Sequence, residues 1–525
     1  MKRVSTFLML LFAITFSVNA KSVYKTITLE QLKDKVAGGW AGKMIGVSRG
    51  HLMEYKACGK MFEEDIPWAS DMVKESIQED DLYGQINLMM TMEKYGLNAS
   101  TTKLAEDLAN AKFSLCHANL QCRKNYIDGI MPPLSGNPKY NMHADDIDFQ
   151  IDADFLGFMN PGMPLSSAKM CNRIGRMMAY GDGLYGGIFI SSMHSLAFFN
   201  NDPERLVVEA LKTIPAESSY AKCISDVVSQ YRANPDDWQK AWHYIWNKWG
   251  QTDICVPFID LNIDAKINGA FIAIGLLYGH GDFDKTMRIT IGCGQDTDCN
   301  SSNVTAILGV MKGYSNIPDV YKSCIPSMAN DDFSYTTYSY NKTVAQTMTF
   351  LNENVKVNGG KINGDVYTIK AQEPCFKGKL EQSFPNMYMN YFVQVKDSAK
   401  WSFKGNWQNF VYGDGDPDLF KTTSEPGASV EIPFDGTGVT VLGSWNIDGG
   451  RANVYVDGKF VKKIDMYYRE DVGKYCDNRS HIFHILGLKS GKHFLRIVVT
   501  NDNNPKSTGH NIRIERIVVY NTRNS

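Results

Sequence analysis

The acidic run Glu79-Asp80-Asp81 is the first feature of the sequence that could do chemistry, because three adjacent carboxylates repel one another. It lies directly before a segment of helical periodicity that begins at Leu82. A helix N-terminus carries only about half a positive charge, too little to neutralise all three. Carboxylate oxygens are hard ligands that suit Mg²⁺, Mn²⁺ or Ca²⁺. Glu79, Asp80 and Asp81 are therefore candidate metal ligands, with ordinary helix capping as the alternative.

A second acidic pair, Asp296 and Asp298, lies ahead of a helix predicted from Ser301. Two carboxylates spaced two residues apart in a turn can point at one centre. We therefore take both as candidate ligands for a divalent cation. Helix capping and solvated charge are again the alternative.

A third acidic stretch runs from Asp145 to Asp154. On a helix, Asp148 and Asp152 would share one face, apart from the apolar face. Such a like-charged pair costs roughly a few tenths of a kcal/mol when exposed, so a solvated face is one interpretation. Lining a pocket, the pair could bind metal, bond sugar hydroxyls or act as acid and base. This second interpretation makes Asp148 a catalytic candidate and Asp152 a substrate contact.

A glycine-rich segment, Gly181–Gly187, precedes an apolar helix predicted from Ile188. In such a loop, backbone N–H groups can approach a ligand closely. The Lys-Ser/Thr ending of a P-loop is absent, and helix capping or close packing is the alternative. Asp182, Gly183 and Tyr185 are the candidate substrate contacts of this segment.

Aromatic residues of the C-terminal part could stack on sugar rings, although packing in a core is the alternative. These residues are Trp401, Trp407, Trp445, Tyr467 and Tyr468.

The elements that must position these side chains fall into two classes. From about Ile27 to Tyr340, apolar residues recur at spacings of three and four, which predicts a compact all-α domain. The predicted helices are Leu82–Tyr95, Asp148–Phe158, Ser166–Ala179, Glu204–Lys212, Ser218–Ala233, Ile267–Leu277 and Ser301–Lys312.

After about Thr343 the pattern changes to short runs of period two, separated by turn signals such as Asp448-Gly449 and Asp457-Gly458. This pattern predicts an antiparallel β-sandwich. The predicted domains are therefore a helical domain over 27–343, a β-rich connecting segment over 344–395 and a sandwich over 396–525. The predicted strands are Val366–Ile369, Val430–Ile432, Val439–Leu442, Ala452–Val456, His481–Ile485, His493–Val499 and Ile512–Tyr520.

The N-terminal residues are typical of a secretory signal peptide cut after Ala20, which predicts a secreted or periplasmic protein. Basic Lys2 and Arg3 precede an apolar core, and Val18-Asn19-Ala20 is a small-residue cleavage signal. No later stretch is apolar enough to predict a membrane span. The chain has 525 residues, with 55 Lys+Arg against 57 Asp+Glu. A net charge this close to zero argues against a nucleic-acid partner.

The eleven cysteines could oxidise after export, and their odd number leaves at least one without an intramolecular disulfide partner. Cys116 and Cys122 could close a local loop. The spacing shows no CxxC pair and no Cys/His cluster, so it predicts no zinc site.

Three ordered motifs resemble the ADP-ribosylglycohydrolase family, an all-α fold with a binuclear magnesium centre. They are the glycine-rich Gly38–Gly46, the acidic Glu79–Leu82 and Gly294–Cys299. Leu82 and Cys299 stand at threonine positions of the family's motifs, so the resemblance implies one or two Mg²⁺ ions. The C-terminal part, through Phe434–Val439 and Val456–Lys459, resembles the galactose-binding-like modules of carbohydrate-active enzymes.

The resemblance carries metal-ligand roles over to the five acidic residues of the second and third motifs. It also implies an acid/base role for Glu54, which follows the glycine-rich helix. Lys43 stands where that helix usually has Asp. The resemblance implies hydrolysis of an N- or O-glycosidic bond in an ADP-ribosyl, pentosyl or glycan substrate, so the expected partner is a small molecule or a glycan. A non-catalytic carbohydrate-binding surface protein and a Cys299 nucleophile are the alternatives, and oligomeric state is not predicted.

Overall fold

The computed structural model describes residues 23–411, 419–469 and 480–523. The predicted signal peptide and Cys476 lie outside these ranges. Within them, every helix is too short or too polar to cross a bilayer. Cys122 is a buried free thiol, so it does not close the predicted loop with Cys116.

Helices dominate residues 29–357, as the periodicity predicts. They are α1 (Leu29–Gly50), α2 (Asp80–Tyr95), α3 (Thr101–Asn110), α4 (His117–Ile127), α5 (Asp148–Asp152), α6 (Asp154–Phe158), α7 (Pro164–Ile174), α8 (Gly181–Ala197), α9 (Pro203–Leu211), α10 (Ser219–Ala233), α11 (Trp238–Trp249), α12 (Ala265–Tyr278), α13 (Phe283–Gly292), α14 (Thr297–Lys312), α15 (Asp319–Lys322), α16 (Ile325–Met328) and α17 (Tyr340–Val357). Short 3₁₀ turns lie between them, including His51–Met53 and Ser70–Gln78. The single helix predicted over 148–158 is divided at Ala153 into α5 and α6.

The centre of the helical domain is the crossing of α1 and α14, where the two backbones touch. A Cβ added to Gly42 would collide with the carbonyl oxygen of Thr305, and one added to Gly46 would collide with that of Ser301. The space is used by hydrogen bonds: Thr305 Oγ1 donates to Gly42 O and Ser301 Oγ donates to Gly46 O, each at 2.7 Å. The close approach places the start of α14 beside the end of α1.

We expect Gly42→Ala to destabilise the protein by about 2 kcal/mol or more, because backbone must move to admit the methyl group. The neighbouring Gly39→Ala is the matched control. Its Cβ would meet only side-chain atoms, with Phe158 Cε1 at 2.8 Å and Val310 Cγ2 at 2.9 Å. Both variants gain about 1 kcal/mol of helix propensity, so their difference in urea unfolding isolates the backbone collision. Equal stability of the two variants would contradict this account.

The predicted boundary at residue 343 falls inside α17 (Tyr340–Val357). The following strands β2 (Lys361–Asn363) and β3 (Val366–Lys370) form an antiparallel three-stranded sheet with β1 (Tyr24–Thr28). Residues 344–370 therefore belong to the helical part of the structure. Strand β4 (Met387–Gln394) pairs with the last strand of the sandwich, which consequently begins before residue 396.

The C-terminal part consists of antiparallel sheets, as predicted. The remaining strands are β5 (Ser402–Lys404), β6 (Gln408–Val411), β7 (Leu419–Thr423), β8 (Ser429–Asp435), β9 (Gly438–Gly443), β10 (Gly450–Val456), β11 (Lys459–Asp465), β12 (Ser480–Leu486), β13 (Lys492–Asn503) and β14 (Ile512–Thr522). One sheet has the order β11-β10-β13-β8-β5, and the other has the order β12-β9-β14-β7-β6 with β4 also on β14. Their inward residues share one core.

Strand β14 is buried on both faces from Ile512 to Tyr520, instead of alternating. Its outer face lies against the helical domain, where Tyr520 Oη donates to Ile254 O at 2.9 Å. Beside it the Arg516 guanidinium lies 4.2 Å from the ring centre of Phe258. The sandwich is thus docked on the segment that precedes α12.

Candidate functional site

The candidate site is centred on the carboxylates at the start of α14. Together with Glu54, Glu79 and Asp81, they are called the carboxylate hub. Asp296 is the N-cap of α14, and Asp298 lies in its first turn, since this helix begins at Thr297 and not at Ser301. Oxygens of Glu54, Asp296 and Asp298 lie within 4.8 Å of one another. A ligand atom of Asp298 also lies within this distance of Asp81 and Cys299, and of His51 and Glu79. The acidic motifs predicted to cooperate do meet in the fold.

Too few hydrogen bonds and positive charges surround these carboxylates to offset the cost of burying them. Asp296 Oδ1 and Asp298 Oδ1 are buried with no hydrogen-bond partner. Burial, and then the negative charge of Asp296, raises the pKa of Glu54 to about 7 and that of Asp298 well above its usual range. Burial, and then Asp81, raises the pKa of Glu79 to about 8. Unpaired buried oxygens and mutual repulsion are what a divalent cation would relieve, so the donor set fits such an ion.

Lys43, which stands where the family's glycine-rich helix usually has Asp, places a positive charge beside Asp81. Its ammonium lies 3.1 Å from Asp81 Oδ1 and 2.7 Å from Asp154 Oδ2, and all three side chains are fully buried. Burial alone would lower the pKa of Lys43, but Asp154 and Asp81 raise it overall. Lys43 therefore stays charged and orients Asp81 toward Asp298.

Asp80 occupies the first position of α2 and is exposed, in contrast to Asp81. Its Oδ1 accepts the backbone N–H of Asp81 at 3.1 Å. Among the described residues, it belongs to none of the groups whose ligand atoms lie close enough to share an ion. A ligand role for Asp80 stays a prediction.

Asp148 and Asp152 share one neighbour, as their predicted common face requires. Asp148 Oδ1 accepts the backbone N–H of Asn119 at 2.8 Å, and Asp152 Oδ2 accepts its side-chain amide at 3.2 Å. Both aspartates are buried, which excludes the solvated face. Asp148 Oδ2 has no hydrogen-bond partner, and burial raises the pKa of Asp148 to about 7. Asp148 is therefore suited to hold a proton near neutral pH.

The glycine-rich segment is not a loop, because α8 already begins at Gly181. Asp182 Oδ1 accepts the N–H of Tyr220 at 3.2 Å, and the Tyr185 hydroxyl accepts the N–H of Glu381 at 2.8 Å. Gly183 lies against the backbone of Ala144. Capping and close packing account for these contacts, and the substrate contacts assigned to this segment stay predictions.

The aromatic residues of the sandwich are mostly packed inside it. Trp401, Trp445, Tyr467 and Tyr468 are buried. Trp407 is half-buried and meets Phe403 edge to face, with ring centres 5.3 Å apart. Core packing therefore explains them better than an exposed sugar platform.

Cys299 is an unfavourable nucleophile. Its Sγ donates to Asp81 Oδ2 at 3.1 Å. Burial, followed by Asp296 and the other carboxylates, raises the pKa of the thiol well above its usual range. A thiolate is therefore disfavoured at this position.

A second ligand group contains both His and Cys, contrary to the prediction from sequence spacing. His117, His143, Asp146 and Cys255 present ligand atoms within 4.8 Å of one another. His143 and Cys255 are 112 residues apart in sequence. Neither spacing nor periodicity signals such a meeting.

Residues 28–339 match the family described as ADP-ribosylglycohydrolase. The fold is similar to a solved structure titled "ADP-ribosylglycohydrolase-related protein complex", at 12% identity and a TM-score of 0.44, covering 62% of this chain and 99% of that chain.

Two curated proteins of Flavonifractor plautii are similar over short regions. An "A type blood alpha-D-galactosamine galactosaminidase" is 31% identical over 101 residues, which are 19% of this chain and 9% of that protein. An "A type blood N-acetyl-alpha-D-galactosamine deacetylase" is 33% identical over 108 residues, 20% of this chain and 13% of that protein. The match thus spans only a small part of either curated relative.

The family match covers more than half of the chain, and it includes every residue of the carboxylate hub. The motifs that carry the resemblance are also the segments that meet at the crossing of α1 and α14. This chain belongs to the ADP-ribosylglycohydrolase family.

Proposed function

We propose that this protein is a secreted, metal-dependent glycohydrolase that cleaves an N- or O-glycosidic bond at the carboxylate hub. The observation that carries the proposal is the meeting of Asp81 with Asp298, whose segments are remote in sequence, around buried oxygens with no partner. Membership of the family supports hydrolysis. The signal-like N-terminus supports export and an extracellular substrate.

Asp81, Asp296 and Asp298 would hold the cation, with Glu79 and Glu54 at the margin of the hub. The donors are hard oxygens, which suit Mg²⁺, with Mn²⁺ or Ca²⁺ as alternatives. Such an ion would polarise an oxygen of the substrate and orient it for attack by water.

Glu54 is the residue best placed to move a proton. It is half-buried, and a pKa of about 7 lets it both accept a proton from water and return one to the leaving group. Asp148, also with a pKa of about 7, is the second candidate. Lys43 holds Asp81 in a fixed orientation through its contact with Asp81 Oδ1.

The substrate is a small molecule or a glycan that carries an ADP-ribosyl, pentosyl or amino-sugar group. The first two follow from the family, and the third follows from the similarity to two enzymes named for blood-group A sugars. These classes define the panel for assay.

We expect the full-length protein to hydrolyse at least one member of a panel of ADP-ribosyl, pentofuranosyl and N-acetylgalactosaminyl substrates. EDTA should abolish turnover, and Mg²⁺ or Mn²⁺ should restore it. Glu54→Gln should lower kcat by about 10²-fold, because the amide cannot transfer the proton. Product release measured by chromatography gives the rates.

Glu75→Gln is the matched control, since Glu75 is exposed on the 3₁₀ turn that precedes α2. It should turn over like the wild type. Turnover that is indifferent to EDTA, or a Glu54→Gln variant as fast as Glu75→Gln, would contradict the proposal.

A carbohydrate-binding protein without turnover is the second candidate. The observation that favours it is the hydrogen bond from the Cys299 thiol to Asp81 Oδ2. This bond makes that oxygen less available to a cation. Glycan binding without hydrolysis of any panel member would support this candidate.

A further inference from the structure

A group of mixed donors lies where the helical domain meets the sandwich. His117 is the first residue of α4, His143 and Asp146 lie before α5, and Cys255 lies before α12. Their four ligand atoms lie within 4.8 Å of one another. His143, Asp146 and Cys255 are buried, and His117 is half-buried. The donors are nitrogen, oxygen and sulfur, unlike the all-oxygen hub at α14.

The contacts around His143 do not fit hydrogen bonding alone. Cys255 Sγ lies 2.6 Å from His143 Nδ1, and Asp146 Oδ2 lies 2.7 Å from the same nitrogen. A ring nitrogen offers either one N–H or one lone pair. A distance of 2.6 Å is also too short for a hydrogen bond between nitrogen and sulfur. Sulfur, nitrogen and oxygen converging on one point are the arrangement of a metal site.

A fifth side chain, from the sandwich, points to the same conclusion. His481 of β12 is buried, and neither of its ring nitrogens has a hydrogen-bond partner. Its ring packs on that of His143, with centres 4.6 Å apart. Burying an imidazole without hydrogen-bond partners costs free energy. A charged centre beside His143 would offset part of that cost for His481.

Charge also favours a divalent ion. Asp146 and Cys255 are both buried. One carboxylate, one thiolate and two neutral imidazoles would carry two negative charges. A divalent cation would make this buried group neutral, whereas the ionised group alone would be strongly disfavoured.

The backbone around the group is held in place. Asp253 Oδ1 accepts the N–H of Cys255 at 2.7 Å and that of Val256 at 3.2 Å. Asn141 Oδ1 accepts the N–H of His143 at 2.8 Å. Ligand-bearing loops that are fixed by such bonds are pre-organised for an ion.

We propose that His117, His143, Asp146 and Cys255 bind one Zn²⁺ ion in a structural site of the helical domain, beside His481 of β12. Two imidazoles, one thiolate and one carboxylate are ligands that zinc takes, and four protein ligands fill a tetrahedral shell. Its four ligands are different residues from those of the carboxylate hub, although Cys255 and Cys299 share one buried cluster.

The test uses the full-length protein, stripped with a chelator and titrated with Co²⁺ and with Zn²⁺. We expect one Zn²⁺ per chain, a rise in Tm on zinc binding, and a thiolate-to-cobalt charge-transfer band with Co²⁺. Cys255→Ser should lose the band. The buried Cys223→Ser, in α10, should keep it, as should Asp298→Asn at the carboxylate hub.

His117→Asn is a second variant, chosen because it should still fold. His117 is half-buried and has a positive φ of 46°, which Asn tolerates. We expect its zinc affinity to fall by about tenfold or more. A wild-type protein that takes up no zinc and shows no band would overturn the proposal. So would a band that persists in Cys255→Ser or an unchanged affinity in His117→Asn.

Discussion

Replacing Asp298 with Asn should lower kcat/KM by about 10³-fold or more, while leaving the metal-free protein at least as stable as the wild type. Asp298 belongs to every group of close ligand atoms at the hub. Losing its charge would weaken cation binding and remove several kcal/mol of transition-state stabilisation, which corresponds to this factor. The same change removes one of several buried carboxylates that repel one another, so the fold itself loses nothing.

Three measurements separate these effects: kcat/KM, affinity for Mn²⁺ by calorimetry, and unfolding in urea with EDTA present. Asp331→Asn is the matched control, because Asp331 is exposed and lies outside the hub. It should behave as the wild type in all three. An Asp298→Asn variant with full activity would remove the hub from the mechanism, and one that unfolds with EDTA present would show a structural role instead.

Replacing Lys43 with Met should destabilise the protein by about 3–5 kcal/mol. The change keeps the length of the side chain but leaves Asp81 and Asp154 buried without their cation. Removing one partner of a buried ion pair is costly because the remaining charges stay desolvated. Urea unfolding, followed by the helical circular dichroism signal, measures the loss.

The double variant Lys43→Met/Asp154→Asn should recover part of this loss, because it removes one of the stranded charges. Asp154 also bonds His194 Nε2 at 2.8 Å, so recovery should be incomplete. Lys33→Met, at an exposed position of the same helix, is the control and should change stability little. A loss below about 1 kcal/mol for Lys43→Met would mean that this ammonium does not compensate the carboxylates.

Local patterns of the sequence predicted the elements well. Apolar spacing located helices such as α10 and α12 to within two residues at each end. Alternation located β10 and β13, since each has one buried face. Boundaries between units were harder, because α17 continues past the predicted end of the helical domain and β1 pairs with β3 from the far end of that domain.

The sequence by itself determined that acidic residues stand at the starts of α2 and α14, and that glycines line α1. These are local properties, set by helix periodicity, capping and charge. Only the tertiary structure decided which side chains meet. It paired Lys43 with Asp81, buried most of the sandwich aromatics and brought Cys255 to His143. These long-range contacts depend on how whole helices and sheets pack against one another. The spacing of residues along the chain does not determine that packing.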